Sequence, residues 1–209
     1  AQDNVFLGYN AGGGTWAGVG VDSNIGIGTQ ALSGPLNGGA HNIAMGYDSM
    51  AANVSGDGNV AIGYNAGLTM TTSGNNVLIG YQAGLDISAD QTDTDGTVAV
   101  GYNALADLTV GAGNTAIGYN AGLGLTTSTT NTILGYQALD LATTQADNNV
   151  AIGYQAMHGN WTTANVDNCI AVGTTTLSGV LTSTASGTVA IGRSALNALT
   201  TGASNIAIG

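Results

Sequence analysis

One short phrase recurs twelve times along the chain and constrains the fold more than any other feature. Its clearest copy reads Asn-Val-Ala-Ile-Gly-Tyr at residues 59–64. The glycine of each copy, called the anchoring glycine below, stands at Gly8, Gly28, Gly46, Gly63, Gly80, Gly101, Gly118, Gly135, Gly153, Gly173, Gly192 and Gly209. Successive anchoring glycines are 17 to 21 residues apart. A unit of this size buries its apolar face only by stacking on its neighbours, so the repeat predicts a solenoid.

The composition favours β-coils over helical repeats. The chain of 209 residues contains 35 glycines, no lysine, no glutamate and one arginine, Arg193. Glycine weakens helices, and the charged residues that best form helices are almost missing. Because the repeat runs from Asn4 to Gly209, we predict one all-β domain over residues 1–209, a parallel β-solenoid of about twelve coils. With a rise of about 4.8 Å per coil, the rod is expected to be about 55 Å long.

The residues just before the anchoring glycine form apolar and small columns. The residue one place before it is apolar in all twelve copies, and the residue three places before it is valine or isoleucine in ten, Thr115 and Thr132 being the exceptions. Side chains alternate along a strand, so these two positions share a face, which we predict to be the core. The residue between them is small in nine copies. We predict that it lines a second packed surface, against another wall of the coil or a neighbouring chain.

Asparagine stands four places before the anchoring glycine in nine copies, with Thr97, Cys169 and Thr188 as the departures. Asparagine tolerates left-handed turns, and stacked asparagine side chains form amide ladders. The anchoring glycine itself indicates a bend or a close backbone approach that excludes a Cβ atom.

All eight tyrosines directly follow an anchoring glycine: Tyr9, Tyr47, Tyr64, Tyr81, Tyr102, Tyr119, Tyr136 and Tyr154. This column has two interpretations. One is a structural aromatic stack along the solenoid, with a partner for each hydroxyl. The other is an exposed aromatic stripe suited to binding a sugar or a surface. Thr174 and Arg193 interrupt the column towards the C-terminus.

The phrase Asn-Val-Ala-Ile-Gly, with small residues after it, resembles the head repeats of trimeric autotransporter adhesins, the YadA-like heads. The fuller copy Asn149–Ala156 is similar to repeats of bacteriophage tail fibres. The resemblance implies a left-handed parallel β-roll in which three chains pack side by side. It also implies a shaft or head segment that attaches to a cell-surface glycan or protein. The coils are longer than those usual in adhesin heads, which favours the tail-fibre type.

A hexapeptide left-handed β-helix is the second fold hypothesis, because Ile62–Gly67 fits one hexapeptide. Some such helices are acyltransferases with a histidine base. His41 precedes a predicted strand and His158 lies in the loop Met157–Trp161, more than six coils further on. General acid–base catalysis needs a positioned partner within hydrogen-bond reach. We therefore interpret both as loop histidines and predict that the chain is not an enzyme.

The longest insertion, Asp86–Gly96, holds four aspartates. Part of it, Asp93–Gly96, is similar to a calcium loop but lacks the closing glutamate of an EF-hand. Asp90, Asp93 and Asp95 are the weak candidate ligands for Ca²⁺, and a solvated acidic loop is the alternative. We predict no other metal and no cofactor.

Paired threonines recur at similar places after the anchoring glycine: Thr71-Thr72, Thr126-Thr127, Thr143-Thr144, Thr162-Thr163 and Thr200-Thr201. Stacked into a flat column, they would suit an ice-binding surface. The alternative is that these residues simply favour loops beside serine and glycine.

The net charge and the two chain ends limit which partners the chain is expected to bind. A net charge of −11 disfavours nucleic acid and anionic membrane surfaces, and no apolar run is long enough to span a bilayer. Both termini fall inside a copy of the phrase. This predicts either a segment of a longer fibrous protein or coils that stack end to end into a filament. The resemblance places such a protein outside the cell, on a bacterial surface or a phage virion.

Overall fold

The computed structural model describes residues 3–16, 20–87, 94–142, 145–161 and 165–209. Over these ranges the chain forms twelve strands of three residues, a 3-10 helix at Ser183–Ala185, and no α-helix. The strands are β1 Val5–Leu7, β2 Ile25–Ile27, β3 Ile43–Met45, β4 Val60–Ile62, β5 Val77–Ile79, β6 Val98–Val100, β7 Thr115–Ile117, β8 Thr132–Leu134, β9 Val150–Ile152, β10 Ile170–Val172, β11 Val189–Ile191 and β12 Ile206–Ile208.

The strands form one parallel sheet in sequence order, from β1 to β12. Each strand pairs in register with the next, so equivalent positions of the phrase lie side by side. The architecture is a parallel β-solenoid of about eleven turns, which confirms the predicted fold and is close to the twelve coils expected from the repeat.

Hydrogen bonds between adjacent coils extend well beyond the strands. In the sheet, the anchoring glycine Gly28 donates its N–H to the carbonyl of Leu7 at 2.8 Å. In the turn that follows the tyrosine, Leu105 donates to Ala121 at 3.0 Å. The same stacking recurs in the wall before the strand. Because the coils bond to one another on several sides, most of the buried backbone groups are satisfied without any long strand.

The inward and outward faces of the strands are the reverse of the sequence prediction. The middle residue of β2 to β11 is buried, whereas the residues on either side of it are partly exposed. The small column therefore points into the solenoid, and the valine and isoleucine columns point out. The reason is the limited space inside the coil. A coil this narrow admits one inward strand side chain beside the leucine or methionine of the turn, and alanine fits that space.

Large and small residues compensate for one another inside the coils. Leu78 replaces alanine at the inward strand position, and a Cβ atom on Gly84 would lie 2.8 Å from its Cδ2 atom. Ile133 likewise occupies the space that a Cβ atom on Gly122 would need. Where the strand residue is Ala99, Leu105 fills the core from the turn instead. Where Ala61 and Gly67 are both small in one coil, Leu78 of the next coil lies 2.8 Å from the Cβ position of Gly67. Volume is thus compensated between neighbouring coils as well as within one.

The asparagine column forms the predicted ladder, and it is buried. Asn59 donates its backbone N–H to the Oδ1 atom of Asn42 at 2.9 Å. The Nδ2 atom of Asn59 donates to the same oxygen at 3.1 Å and to the carbonyl of Ser73 at 2.8 Å. The pattern repeats from Asn114 through Asn131. Each asparagine thereby ties the coil before it to the coil after it.

The anchoring glycine marks both a bend and a close approach of backbones. Its φ angle lies between +121° and +151° in all twelve copies. In eleven of them a Cβ atom would stand no more than 2.5 Å from the carbonyl oxygen of the next anchoring glycine. Side chains are excluded at this position by conformation and by space together.

We expect Gly101→Ala to lower the free energy of unfolding by at least about 2 kcal/mol, because alanine is strained at this φ angle and meets the next coil. Gly96→Asn is the matched control: its φ angle is +70°, no atom lies near its Cβ position, and Asn75 fills the equivalent site at φ +58°. Urea unfolding followed by circular dichroism measures both. Equal midpoints for the two variants would contradict the close approach.

Candidate functional site: the outer strand face and the tyrosine column

The strands present an apolar surface to the outside, called the outer strand face below. It consists of the residues three and one places before each anchoring glycine. Large side chains on it are strongly exposed for their type, among them Met45 at 37 %, Ile117 at 39 % and Leu134 at 45 %. No charged residue occurs in any of the twelve strands. The outer strand face is therefore an uncharged apolar strip that follows the axis of the solenoid.

The tyrosine column borders this face and forms a continuous ring stack. Seven tyrosines, from Tyr47 to Tyr154, stack pairwise in consecutive coils with centroids 4.9 to 5.5 Å apart and planes within 12° of parallel. Each of the seven side chains is between 42 and 48 % exposed. The parallel register of the coils places the rings at the stacking distance, as the structural interpretation predicts, but the rings are also exposed and the predicted hydroxyl partners are not found among the described residues.

The stack exposes ring edges and covers ring faces. A sugar that binds an aromatic residue by stacking needs a free ring face, which only a ring at the end of the stack retains. No protein partner bonds the tyrosine hydroxyls in the part of the chain that the structure describes. The column thus offers a line of half-exposed phenol edges.

The stack ends where other residues take the tyrosine position. Thr29 separates Tyr9 from Tyr47, and Tyr9 stands unstacked with 80 % of its side chain exposed. At the other end, Thr174 and Arg193 follow Tyr154. Arg193, the one arginine of the chain, is exposed and occupies the tyrosine position of its coil.

A polar column runs directly after the tyrosines. The Nε2 atom of Gln155 donates to the Oε1 atom of Gln137 at 3.0 Å. At the same position in other coils, buried acceptor oxygens of Asn65, Asn103 and Asn120 lack a hydrogen-bond donor. Asparagine is found here because the backbone is left-handed, with φ near +53° at Asn120.

Asp140 and His158 form a pair that sequence reasoning missed. Both stand five residues after an anchoring glycine in successive coils, so the solenoid stacks them. The Nδ1 atom of His158 contacts the Oδ1 atom of Asp140; the carboxylate is 2 % exposed and the imidazole 26 %. Burial raises the pKa of Asp140, and the hydrogen bond from His158 opposes this shift. The common offset from the glycine was the available sequence signal.

Burial shifts the pKa of two further groups. The pKa of Asp107 is raised by burial and, secondarily, by the charge of Asp86 in the coil before it. The thiol of Cys169 occupies a buried asparagine-ladder position, where burial raises its pKa. Cys169 still donates its backbone N–H to the Oδ1 atom of Asn149 at 2.9 Å, but it has no amide oxygen of its own, so this run of the ladder ends at Cys169.

The candidate calcium ligands are only partly within the described residues. Asp90 and Asp93 lie outside them, whereas Asp95 accepts a hydrogen bond from the backbone N–H of Gly74 at 2.7 Å. Among the residues with a described placement, no group of three or more histidine, cysteine or acidic side chains could hold a metal ion. His41 is exposed and occupies a left-handed turn at φ +58°.

Aspartates six places before the anchoring glycine have a structural role that the sequence reading did not assign. The Oδ1 atom of Asp57 accepts the N–H of Ala40, and that of Asp147 accepts the N–H of Thr129. Asp167 in turn accepts the N–H of Asp147 at 2.9 Å. These carboxylates satisfy backbone donors of the preceding coil, as N-cap residues do for helices.

The described threonines do not form an unbroken column. Thr143, Thr144, Thr162 and Thr163 lie outside the described residues. Eight places after the anchoring glycine, Thr71 and Thr126 share their position with the buried Leu36, Trp161 and Leu181 of other coils. A regular flat threonine array is thus interrupted along the axis.

The described chain encloses no detectable cavity. None of its described segments is a helix long and apolar enough to cross a membrane. No protein-family model matches the sequence, and no curated protein matches it significantly. The resemblance to adhesin heads and tail fibres therefore depends on the repeated phrase alone.

We expect the stability of the solenoid to depend on pH through Asp140. A raised pKa means that folding favours the protonated carboxyl, so the associated stability is full below the ordinary value of 3.8 and is lost as pH rises through the raised pKa. Asp140→Asn stays neutral and keeps an acceptor for His158. The free energy of unfolding of the wild type should therefore fall relative to this variant as pH rises over that window.

Chemical denaturation at a series of pH values measures the difference. His158→Ala is the companion variant: without the opposing hydrogen bond, the pKa of Asp140 should move further up and the loss should continue to higher pH. A constant gap between the wild type and Asp140→Asn at all pH values would refute the assignment.

Proposed function

We propose that this chain is a structural and adhesive fibre segment, the shaft or head of a phage tail fibre or a bacterial surface adhesin, and has no enzymatic role. Its copies associate side by side as a homotrimer through the outer strand face, and the fibre attaches to a cell-surface glycan or protein. The observation that carries this proposal is the uncharged apolar strip along the whole solenoid. The repeated phrase and its resemblance to adhesin and tail-fibre repeats give the trimer and the extracellular location.

The size of the strip supports association. From the first outward strand residue to the tyrosine, the strip spans about 13 Å, and eleven coil intervals extend it to about 53 Å, which makes about 700 Å². The largest apolar patch of a typical monomer is about 300–600 Å². A stable protein interface buries about 800 Å² on each partner. The outer strand face and the tyrosine column together thus come close to the area of one side of an interface.

The distribution of charge supports association with a second copy of the chain. Of the aspartates with a described placement, none lies in a strand. Two acidic chains that approach through the outer strand face keep their carboxylates at the rim, where water screens them. The second copy is therefore the occupant that this surface fits best. This replaces the small-residue column, which faces inward, as the reason for association.

The variable loops supply the surface that attaches. The repeated columns are occupied by packing, hydrogen bonding and ring stacking, whereas the loops differ in length and sequence from coil to coil. Binding residues commonly lie on loops that a rigid scaffold positions. Recognition of a receptor is accordingly assigned to the loops, and self-association to the strands.

We expect the wild type to sediment as a trimer at micromolar concentration and the double variant Ile117→Lys/Leu134→Lys to sediment as a monomer. The two lysines would place charges in the interface, while the buried core stays intact because both residues point outward. The matched control is Leu141→Lys/Val180→Lys, which alters residues of similar exposure, 39 and 59 %, in the loops. This control should remain a trimer.

Adhesion is measured separately, by counting cells bound to beads that carry each variant. The trimeric proteins should bind a susceptible bacterial strain more strongly than the monomeric variant, because three copies of each loop act together. A wild type that sediments as a monomer would refute the interface. A trimer that binds no strain in a broad panel would refute adhesion and leave the interface standing.

A further inference from the structure

The stacking of the seven tyrosines packs their rings and also holds neighbouring rings close enough to react with each other. Near-parallel rings related by the rise of one coil place equivalent ring atoms about 5 Å apart. The shortest centroid separation is 4.9 Å, between Tyr81 and Tyr102 and again between Tyr119 and Tyr136. The carbon atoms beside the hydroxyl of one ring are thus held near those of the next ring, without any large motion of the backbone.

The exposed part of each ring is the part that oxidants attack. About two fifths to one half of each stacked side chain is exposed, and the ring faces are covered by neighbouring rings. The phenol edges are therefore open to solvent, and no described residue bonds their hydroxyls. Holding two reacting groups together raises their effective concentration by orders of magnitude.

We propose that the tyrosine column is a site of oxidative coupling, in which hydrogen peroxide and a haem peroxidase join neighbouring rings into dityrosine. Each of two phenols loses one electron and one proton and becomes a phenoxyl radical. The radicals form a bond between the carbons beside their oxygens, and the hydrogens on those carbons move to the oxygens. The peroxide accepts the two electrons and two protons and becomes two waters.

The products are covalent links between coils that are adjacent in space and 17 to 21 residues apart in sequence. Such links restrict the unfolded chain in the way that disulfides do. The described cysteine, Cys169, is buried and unpaired, so the tyrosines are the side chains that are placed to link one coil to the next. Because the proposed trimer would cover part of the tyrosine column, the coupling is measured in the monomeric Ile117→Lys/Leu134→Lys background as well as in the wild type.

The experiment compares two triple variants of equal tyrosine content. Tyr64→Phe/Tyr102→Phe/Tyr136→Phe leaves no two adjacent tyrosines, whereas Tyr47→Phe/Tyr64→Phe/Tyr81→Phe leaves four consecutive ones. Phenylalanine retains the ring at every position, so both variants should keep the stack, which circular dichroism checks. Each full-length protein is treated at low concentration with hydrogen peroxide and a haem peroxidase.

Dityrosine fluorescence, denaturing electrophoresis and peptide mass spectrometry report the outcome. Cleavage before aspartate puts Tyr81 and Tyr102 in different peptides, so a link joins those peptides with the loss of two hydrogens. We expect links within single chains in the wild type and the consecutive variant, and loss of the signal in the alternating variant. Tyr9, which has no stacked neighbour, should remain uncoupled.

Three results would overturn the proposal: no dityrosine in either the wild type or the monomeric background, equal coupling in the two triple variants, or links found only between chains. The first would show that the stack resists oxidation. The second and third would show that random collisions, and not the column, bring the rings together.

Discussion

The structure depends on the approach of successive backbones at the anchoring glycines. There the coils come so close that a single Cβ atom would collide with the next carbonyl oxygen. This contact sets the rise per coil, and the side chains of every other column are therefore spaced by the same distance. The strands pair in register, the asparagines reach the coil before and the coil after, and the tyrosine rings meet at stacking distance because the glycines permit that spacing. A side chain at one glycine would disturb several kinds of bond in the same coil.

The sequence was sufficient for the fold and for the periodicity of its columns, but not for the direction in which the strands face. Alternation in a three-residue strand divides the side chains into two sets without saying which set is inside. Apolar character favoured the valines and isoleucines, yet the interior already holds turn residues such as Leu105, Met157 and Leu177. These adopt left-handed backbone angles near +50°, which is uncommon for leucine and methionine. Room inside the coil, and not hydrophobicity, decides the orientation.

The candidate site was predictable to the extent that it repeats. The tyrosine stack follows from a constant offset in consecutive coils, and the break at Thr29 follows in the same way. The pair of Asp140 and His158 occurs once, at a position that carries no titratable side chain in the other coils, so its one sequence signal was the common offset from the anchoring glycine. The outer strand face was hidden by the mistaken orientation, although its residues were all identified. A feature that occurs in one coil only is thus found from the structure, whereas a repeated column can be predicted by counting residues from the anchoring glycine.

The asparagine ladder gives the solenoid a property beyond cohesion. In every step the amide oxygen of one coil accepts from the coil that follows it in sequence, as from Asn24 to Asn42 and from Asn42 to Asn59. The amide dipoles therefore add head to tail along the axis, and hydrogen bonds in such a chain polarise one another. Thr97 donates its backbone N–H to the Oδ1 atom of Asn76, but its own hydroxyl has no hydrogen-bond partner, so the series is interrupted there. The rod thus has an electrical direction, carried by two aligned runs of amides in its interior.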